Sequence, residues 1–333
     1  MNTIKTWYRN SRPEALPQSI LPVVLAICLA TGSDNFSLWL GLLALIGVAF
    51  AHLSLNMFDD YFDYTKKKTD YREELVHEGM RARIGKCNYL SSGQNTTKQL
   101  LIACFVFGAI AIVCGSVILY FRGITIFYIA LATAFLGIFY SAPPLRLSYH
   151  GLGELLIGLI FGPLNMMGTY YATGGQLDSA IIFISIPVGL LVMNIVYTHS
   201  ILDFIPDKKV GKRTLAVLLN NTTAMLVVLF LINFIPYIII TYGVIMQYLS
   251  VYYLFLFLTL PIAVSLCYLV VEFIKDPQRK FTPRPWYGPM PNWNGICEMG
   301  IDWFMIRWLT ARNLISFFCL IIIVVSLVSY FVT

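Results

Sequence analysis

Five acidic side chains and one amide sit where they could do chemistry. Asn56, Asp60 and Asp63 are spaced i, i+4, i+7. On a helix that spacing stacks them on one face. Asp59 is about 100° round from Asp60 and is expected to face elsewhere. Asp203 and Asp207 repeat the i, i+4 spacing, and Lys208, Lys209, Lys212 and Arg213 follow at once. Stacked carboxylates repel one another unless a cation intervenes. All-oxygen sites of this kind suit Mg²⁺, commonly held by one or two carboxylates together with substrate phosphates. Acids that bind a metal, beside bases, would clamp a diphosphate. The bland alternative is a pair of solvated helix ends.

The elements that must position these residues are membrane helices. The 333 residues are 58% hydrophobic and only 12% charged, and mean hydropathy is +0.73. Soluble domains carry about a quarter charged residues. Nine apolar runs approach the roughly 20 residues a span needs, at about 15–32, 37–57, 99–120, 123–140, 152–172, 179–199, 219–243, 250–273 and 313–332. The expected fold is therefore all-α, integral to the membrane, with nine transmembrane helices in one domain, 1–333. Lys5, Arg9 and Arg12 precede the first run, but no small-residue cleavage site follows it, so no removable signal peptide is expected.

Charge gives the orientation. With the N-terminus cytoplasmic, 22 of the 23 Lys and Arg residues fall on the cytoplasmic side, and only Arg122 lies opposite. That asymmetry is the positive-inside pattern. The net charge of +6 then needs no nucleic-acid partner, and the expected location is the inner (cytoplasmic) membrane. The seven cysteines show no C-x-x-C and no metal-ligand spacing, so they read as packing residues and reduced loop thiols.

The acid clusters end the second and sixth runs, four helices apart. This suggests a four-plus-four pseudo-repeat plus a ninth helix, with both clusters meeting one pocket at the cytoplasmic face. The active-site loops would be 58–98 and 200–218. The segment 274–312 holds five prolines and four tryptophans and is expected to be a cytoplasmic interfacial loop with an amphipathic helix near 296–310. Its expected role is surface anchoring rather than a substrate lid. "YSAPPLRLSYHGLGELLIGLIFGPL" (Tyr140–Leu164) adds Arg146 on the same face. Glu154 is either a helix-start acid or a pocket residue. Gly158, Gly162 and Pro163 suggest close helix packing, or else an opening between helices.

These residues together resemble the UbiA superfamily of intramembrane aromatic prenyltransferases, over nearly the whole chain. The matching residues are Asn56-x-x-x-Asp60-x-x-Asp63, "YSAPPLRL" with "GLGE", and Asp203-x-x-x-Asp207 before "GKRTLAV". Within it, "GLGE…FGP" and "GKRTLAV" look most like the dihydroxynaphthoate polyprenyltransferases of menaquinone synthesis. Where that branch often carries Asn-Asn-x-Arg, this chain has His199, Ser200 and Leu202. His199 is either a replacement polar contact or a helix-end histidine bonded to backbone. The resemblance implies a UbiA-type fold and Mg²⁺-dependent transfer from a polyprenyl diphosphate to an aromatic acceptor, in the lipid bilayer. Asp60, Asp63, Asp203 and Asp207 would hold the metal. Asn56, Tyr140, Lys66, Arg146, His199, Lys212 and Arg213 would bind substrate. Asp60, Asp63 and Asp203 would serve catalysis, with Asp63 the candidate to deprotonate the acceptor. The acceptor is expected to be 1,4-dihydroxy-2-naphthoate, with 4-hydroxybenzoate as the alternative. The rival class is a membrane transporter, against which stands the clustering of the acids at one face. The sequence does not specify an oligomeric state.

Overall fold

A computed structural model describes residues 3–65, 74 and 87–332. The described residues are helical, with turns and short loops and no strand. Seven helices are long and apolar enough to cross a membrane, and two shorter apolar helices accompany them. In chain order these nine are α1 (Pro17–Leu29), α2 (Leu38–Thr65), α3 (Thr97–Arg122), α4 (Ile124–Phe139), α5 (Gly153–Gly174), α6 (Ser179–Leu202), α7 (Thr222–Ile245), α8 (Val251–Lys275) and α9 (Asp302–Val332). Their middles fall on the nine apolar runs. The chain is a multi-pass membrane protein.

Local chemistry sets the helix ends. Thr96 and Gln99 form a reciprocal capping box that opens α3. Gly123, at φ 78°, ends α3 and opens α4 with no intervening loop, a backbone conformation that favours glycine. Asp178 caps α6 by accepting from the Ile181 N–H at 3.0 Å. Asn221 caps α7 through the Ala224 N–H at 2.9 Å.

α6 lies at the centre, packed on α5, α7 and α9. Its buried residues join those of α1, α7, α8 and α9 in the main apolar core. Three glycines let α5 and α6 touch through backbone. A Cβ on Gly189 would stand 2.5 Å from the Gly158 carbonyl oxygen, and one on Gly162 would stand 2.4 Å from the Gly189 Cα. The crossing falls at the π-helical turn Ile160–Leu164, which contains Pro163. Close packing is thus the work of Gly158 and Gly162. A polar pair bonds α6 to α7: Asn194 donates to Asn233 at 2.9 Å, a fully buried amide contact of the kind that joins helices in lipid.

The last span corrects one expectation. α9 begins at Asp302, so residues 302–310 belong to it, and the separate helix before it is the short Trp293–Glu298. The proline-rich segment between α8 and α9 is folded against both. Asn313 of α9 donates to the carbonyls of Tyr287 at 3.0 Å and Pro289 at 2.9 Å. Tyr287, Leu269 and Ile306 form a small apolar cluster, with Phe281, Met290 and Trp293 against it.

Candidate active site

The C-terminal ends of α2 and α6 bring the two acid clusters to one cavity of about 2620 Å³. α2 continues past its apolar stretch to Thr65, so Asn56, Asp59, Asp60 and Asp63 are all carried on rigid helix. α6 stops at Leu202, and Asp203 and Asp207 bracket the short helix Phe204–Lys209. All six side chains line the cavity, with Tyr140, His199 and Lys212.

Asp60 is 1% exposed. Its carboxylate lies 3.1 Å from Arg12 and accepts from the Tyr89 hydroxyl at 3.1 Å. Asp59 does not face elsewhere. It lies 3.3 Å from Arg12 and accepts from Ser141 at 2.6 Å. Arg12 also donates to the Asn56 carbonyl at 2.9 Å, and the Asn56 amide donates to the Ser11 carbonyl at 3.1 Å. The N-terminal segment is therefore tied to the first acid cluster. Burial opposes the charge on Arg12, but Asp60 and then Asp59 outweigh it and raise its pKa above the arginine norm. Burial, then the charge of Asp60, push the Tyr89 hydroxyl well above the tyrosine range, so it remains a donor. Asp63 accepts from the Tyr149 hydroxyl.

In the second cluster, Asp203 pairs with His199 Nε2 at 2.8 Å, one helical turn back. His199 thus bonds a side chain, and it also lines the cavity. Asp207, 2% exposed, has Lys212 at 3.9 Å. Glu154 is both things the sequence allowed: it lies in the first turn of α5 and lines the cavity. It is 2% exposed and accepts from Ser200 Oγ at 2.5 Å and the Leu215 N–H at 3.0 Å. It thereby ties α5 to α6 and to the Thr214–Leu215 turn behind the basic loop.

Two expected substrate contacts are not brought in. Arg146 is half-buried, in a left-handed conformation at φ 47°, and does not line the cavity; nor does the exposed Arg213. Arg146 lies in the stretch after α4, and Arg213 in the stretch after the short helix Phe204–Lys209. Lys66 falls outside the described residues. Conversely, Lys5, Arg9 and Arg12 line the cavity. Their residue type and position before the first span were visible in the sequence, but their partnership with Asp59 and Asp60 was not. The described residues of 276–301 do not reach the cavity.

Below the acids the lining turns apolar, between α2 (Ala44, Val48, Leu55), α3 (Ile112, Gly115, Leu119), α4 (Ile126, Ala134) and α5 (Ile157, Leu164). One end is thus ionic and the remainder a greasy trough. The carboxylates and the Asn56 amide at the ionic end offer hard oxygen ligands, which fits Mg²⁺. Among the described residues no three His, Cys, Asp or Glu side chains stand together as a self-sufficient metal site.

A charged mouth over an apolar trough between membrane helices defines a site for an amphiphile with an anionic head. Residues 19–284 match the model of the UbiA prenyltransferase family; the chain belongs to that family and is a prenyltransferase. It is 29% identical over 218 residues to the 1,4-dihydroxy-2-naphthoate octaprenyltransferase of Bacillus subtilis, covering 66% of this chain and 67% of that one. It is 26% identical over 231 residues to the Escherichia coli enzyme of the same name, covering 66% and 70%. A UbiA homologue from Archaeoglobus fulgidus, solved with GPP and Mg²⁺, superposes with a TM-score of 0.59 at 19% identity, over 93% of this chain and 99% of that one. A chain solved in work on digeranylgeranylglyceryl phosphate synthase superposes at 0.66 with 14% identity, over 98% and 99%. These structural likenesses show the fold.

Proposed function

We propose that this protein transfers a polyprenyl group from a polyprenyl diphosphate to 1,4-dihydroxy-2-naphthoate, with Mg²⁺, in menaquinone biosynthesis. The observation that carries the reading is the single cavity lined by both acid clusters at one end and by apolar side chains along the rest. The names of the curated relatives support the naphthoate acceptor. The homologue solved with GPP and Mg²⁺ supports the donor and the metal.

In this reading the diphosphate lies between the two clusters. Asp60, Asp63, Asp203 and Asp207 would hold Mg²⁺, and Asn56 would add an oxygen. The bound metal supplies charge stabilisation for the departing diphosphate. Lys212, with Arg9 and Lys5, neutralises phosphate oxygens that the metal leaves. Arg12 and Tyr89 hold the Asp60 carboxylate in place, and His199 holds that of Asp203. The isoprenoid tail lies in the trough, where each buried CH₂ contributes about 0.8 kcal/mol. The active site sits where the two media meet because the substrate itself is half ionic and half hydrocarbon.

The nine apolar helices are all spans in this reading, as four plus four related helices and a ninth. The N-terminus, the acid clusters and the loops 58–98 and 200–218 face the cytoplasm, and the membrane is the inner one. The 276–301 segment anchors at the surface beside α8 and α9. A transporter would need access from both faces; here the polar lining is concentrated at one end.

The test uses purified protein in detergent with a labelled long-chain prenyl diphosphate, offered 1,4-dihydroxy-2-naphthoate or 4-hydroxybenzoate, with Mg²⁺ or EDTA. Mg²⁺-dependent prenylation of the naphthoate is expected. Transfer only to the benzoate would overturn the acceptor and keep the reaction. Failure with both would overturn the assigned acceptor class.

A further inference from the structure

Glu154 is a buried carboxylate in the cavity wall that has served so far only as a tie between helices. It is 2% exposed and lines the cavity. Its hydrogen bonds end on one oxygen. Oε1 accepts from the Leu215 N–H at 3.0 Å and from Ser200 Oγ at 2.5 Å. An N–H only donates, so Oε1 is an acceptor however the Ser200 hydrogen is shared with the Val196 carbonyl, 3.1 Å from that hydroxyl. Oε2 has no partner among the described residues, yet it is not sealed inside protein. Its open side is therefore the cavity. A carboxylate oxygen this buried is short of a hydrogen bond, and a ligand that donates would supply it.

The other acids along the cavity are differently engaged. Asp60, Asp63, Asp203 and Asp207 are the proposed metal ligands. Asp59 has Arg12 and Ser141, and Glu14 is exposed. Glu154 stands apart from them. Among the described residues no three His, Cys, Asp or Glu side chains gather, so it is not a third ligand beside Asp203 and Asp207. Ser200 nevertheless follows His199, which pairs with Asp203, so the open oxygen lies near the ionic end. One turn further along the trough, Ile157 of α5 and Val196 of α6 line the cavity. An acceptor atom beside apolar walls fits a hydroxylated aromatic ring, whose edge donates and whose faces are apolar.

We propose that Glu154 Oε2 receives the hydroxyl of the aromatic acceptor and so sets which ring edge meets the allylic carbon. The proposal rests on the prenyl-transfer reading above. The hydrogen bond is charge-assisted and lies in a low-dielectric wall, where such bonds are strong. As the ring attacks, positive charge develops on that hydroxyl oxygen, and a carboxylate already in place stabilises it. The acceptor's own carboxylate is repelled from the same spot and points away from Glu154. The site thus recognises a phenol by its hydroxyl, and an aryl ether leaves Oε2 unpaired.

Glu154→Gln separates the two oxygens. Its carbonyl oxygen can keep the Leu215 and Ser200 bonds, and the Leu215 N–H holds the amide in that sense. An NH₂ donor then replaces Oε2. Steady-state transfer compares wild type and variant on the acceptor that wild type uses and on its O-methyl ethers, one hydroxyl blocked at a time. Prenyl diphosphate KM and melting temperature are measured alongside. Glu154→Gln should lower kcat/KM for the acceptor by about 10- to 100-fold, the worth of a charge-assisted hydrogen bond. Donor KM should stay within about twofold, and the melting temperature should change little. Wild type should disfavour at least one ether by about tenfold or more. That preference should collapse in the variant, whose amide can donate to an ether oxygen. The same preference in both proteins would mark Glu154 as structural and overturn the proposal. So would an acceptor kcat/KM within about threefold of wild type, or a loss confined to donor KM. If the variant does not fold, acceptor binding to wild type decides: an ether bound about tenfold more weakly than the phenol supports the contact, and equal affinity for all of them overturns it. Transfer by wild type together with an unaffected variant defeats this inference alone. No transfer by wild type defeats the prenyl-transfer reading, and this inference with it.

Discussion

Arg12 Nη2 lies 3.1 Å from the buried Asp60 carboxylate and 3.3 Å from that of Asp59. The N-terminal segment thus supplies the counter-charge for the first acid cluster. Arg12→Ala would leave Asp60 buried beside a second acid. Arg12 itself is 34% exposed, so solvent softens the loss, and a destabilisation of about 1–3 kcal/mol is expected. Thermal unfolding in detergent without metal measures it. Mg²⁺ with a prenyl diphosphate should restore more stability to the variant than to wild type. An unchanged melting point would dismiss the pairing as energetically idle.

Asp60→Ala and Asp203→Ala test the metal assignment. Each removes one proposed oxygen ligand from a different helix end. Both variants should stay folded, judged by size-exclusion profile, and each should lose at least 10²-fold in turnover. Near-wild-type turnover in either would sink the assignment of that residue.

The sequence made the site's acids legible because helical spacing alone stacks Asn56, Asp60 and Asp63, and because apolar runs locate the helices that carry them. Convergence of the two clusters followed from counting helices. Asp59 was misplaced because a face argument treats α2 as a lone cylinder; Arg12 and Ser141 approach from another side and draw it in. The partnership of Arg12 with Asp60 was hidden, since nothing local in an N-terminal Arg-Pro indicates a contact across the fold. Arg146 and Arg213 look like natural phosphate ligands by charge, yet neither lines the cavity, a placement that residue type alone does not encode. The start of α9 was missed because Arg307 and Arg312 interrupt hydropathy. Arg307 is 1% exposed, donates to the carbonyls of Leu269 and Trp303, and lies 4.8 Å over the Phe273 ring, so carbonyl dipoles and an aromatic face meet its charge inside the protein.

Gly189 should tolerate no side chain. Its Cβ would meet backbone atoms of Gly158 and Gly162 and the Pro163 ring at 2.5, 3.2 and 3.1 Å, and backbone cannot swing aside. Gly189→Ala should cost about 1–3 kcal/mol by forcing α5 and α6 apart. Gly115 lines the cavity with nothing within 4 Å of its Cβ position, so Gly115→Ala should be neutral or stabilising by up to about 1 kcal/mol. Paired melting curves decide; equal losses would mean that the glycine crossing is not a tight contact.

Metal removal should uncouple head-group binding from tail binding. Without a dication, Asp60, Asp63, Asp203 and Asp207 present a field of like charge to an incoming diphosphate, and Lys212 stands 3.9 Å from Asp207 in the second cluster. Repulsion should then oppose the favourable burial of the tail. In EDTA, a prenyl diphosphate should raise the melting temperature little. With Mg²⁺, ligand at 100 times its Kd should stabilise the fold by about 2.7 kcal/mol, and a neutral prenyl alcohol of the same length should respond to neither condition. Equal stabilisation by the diphosphate in EDTA and in Mg²⁺ would assign its recognition to the basic side chains and leave the carboxylates without a metal to hold.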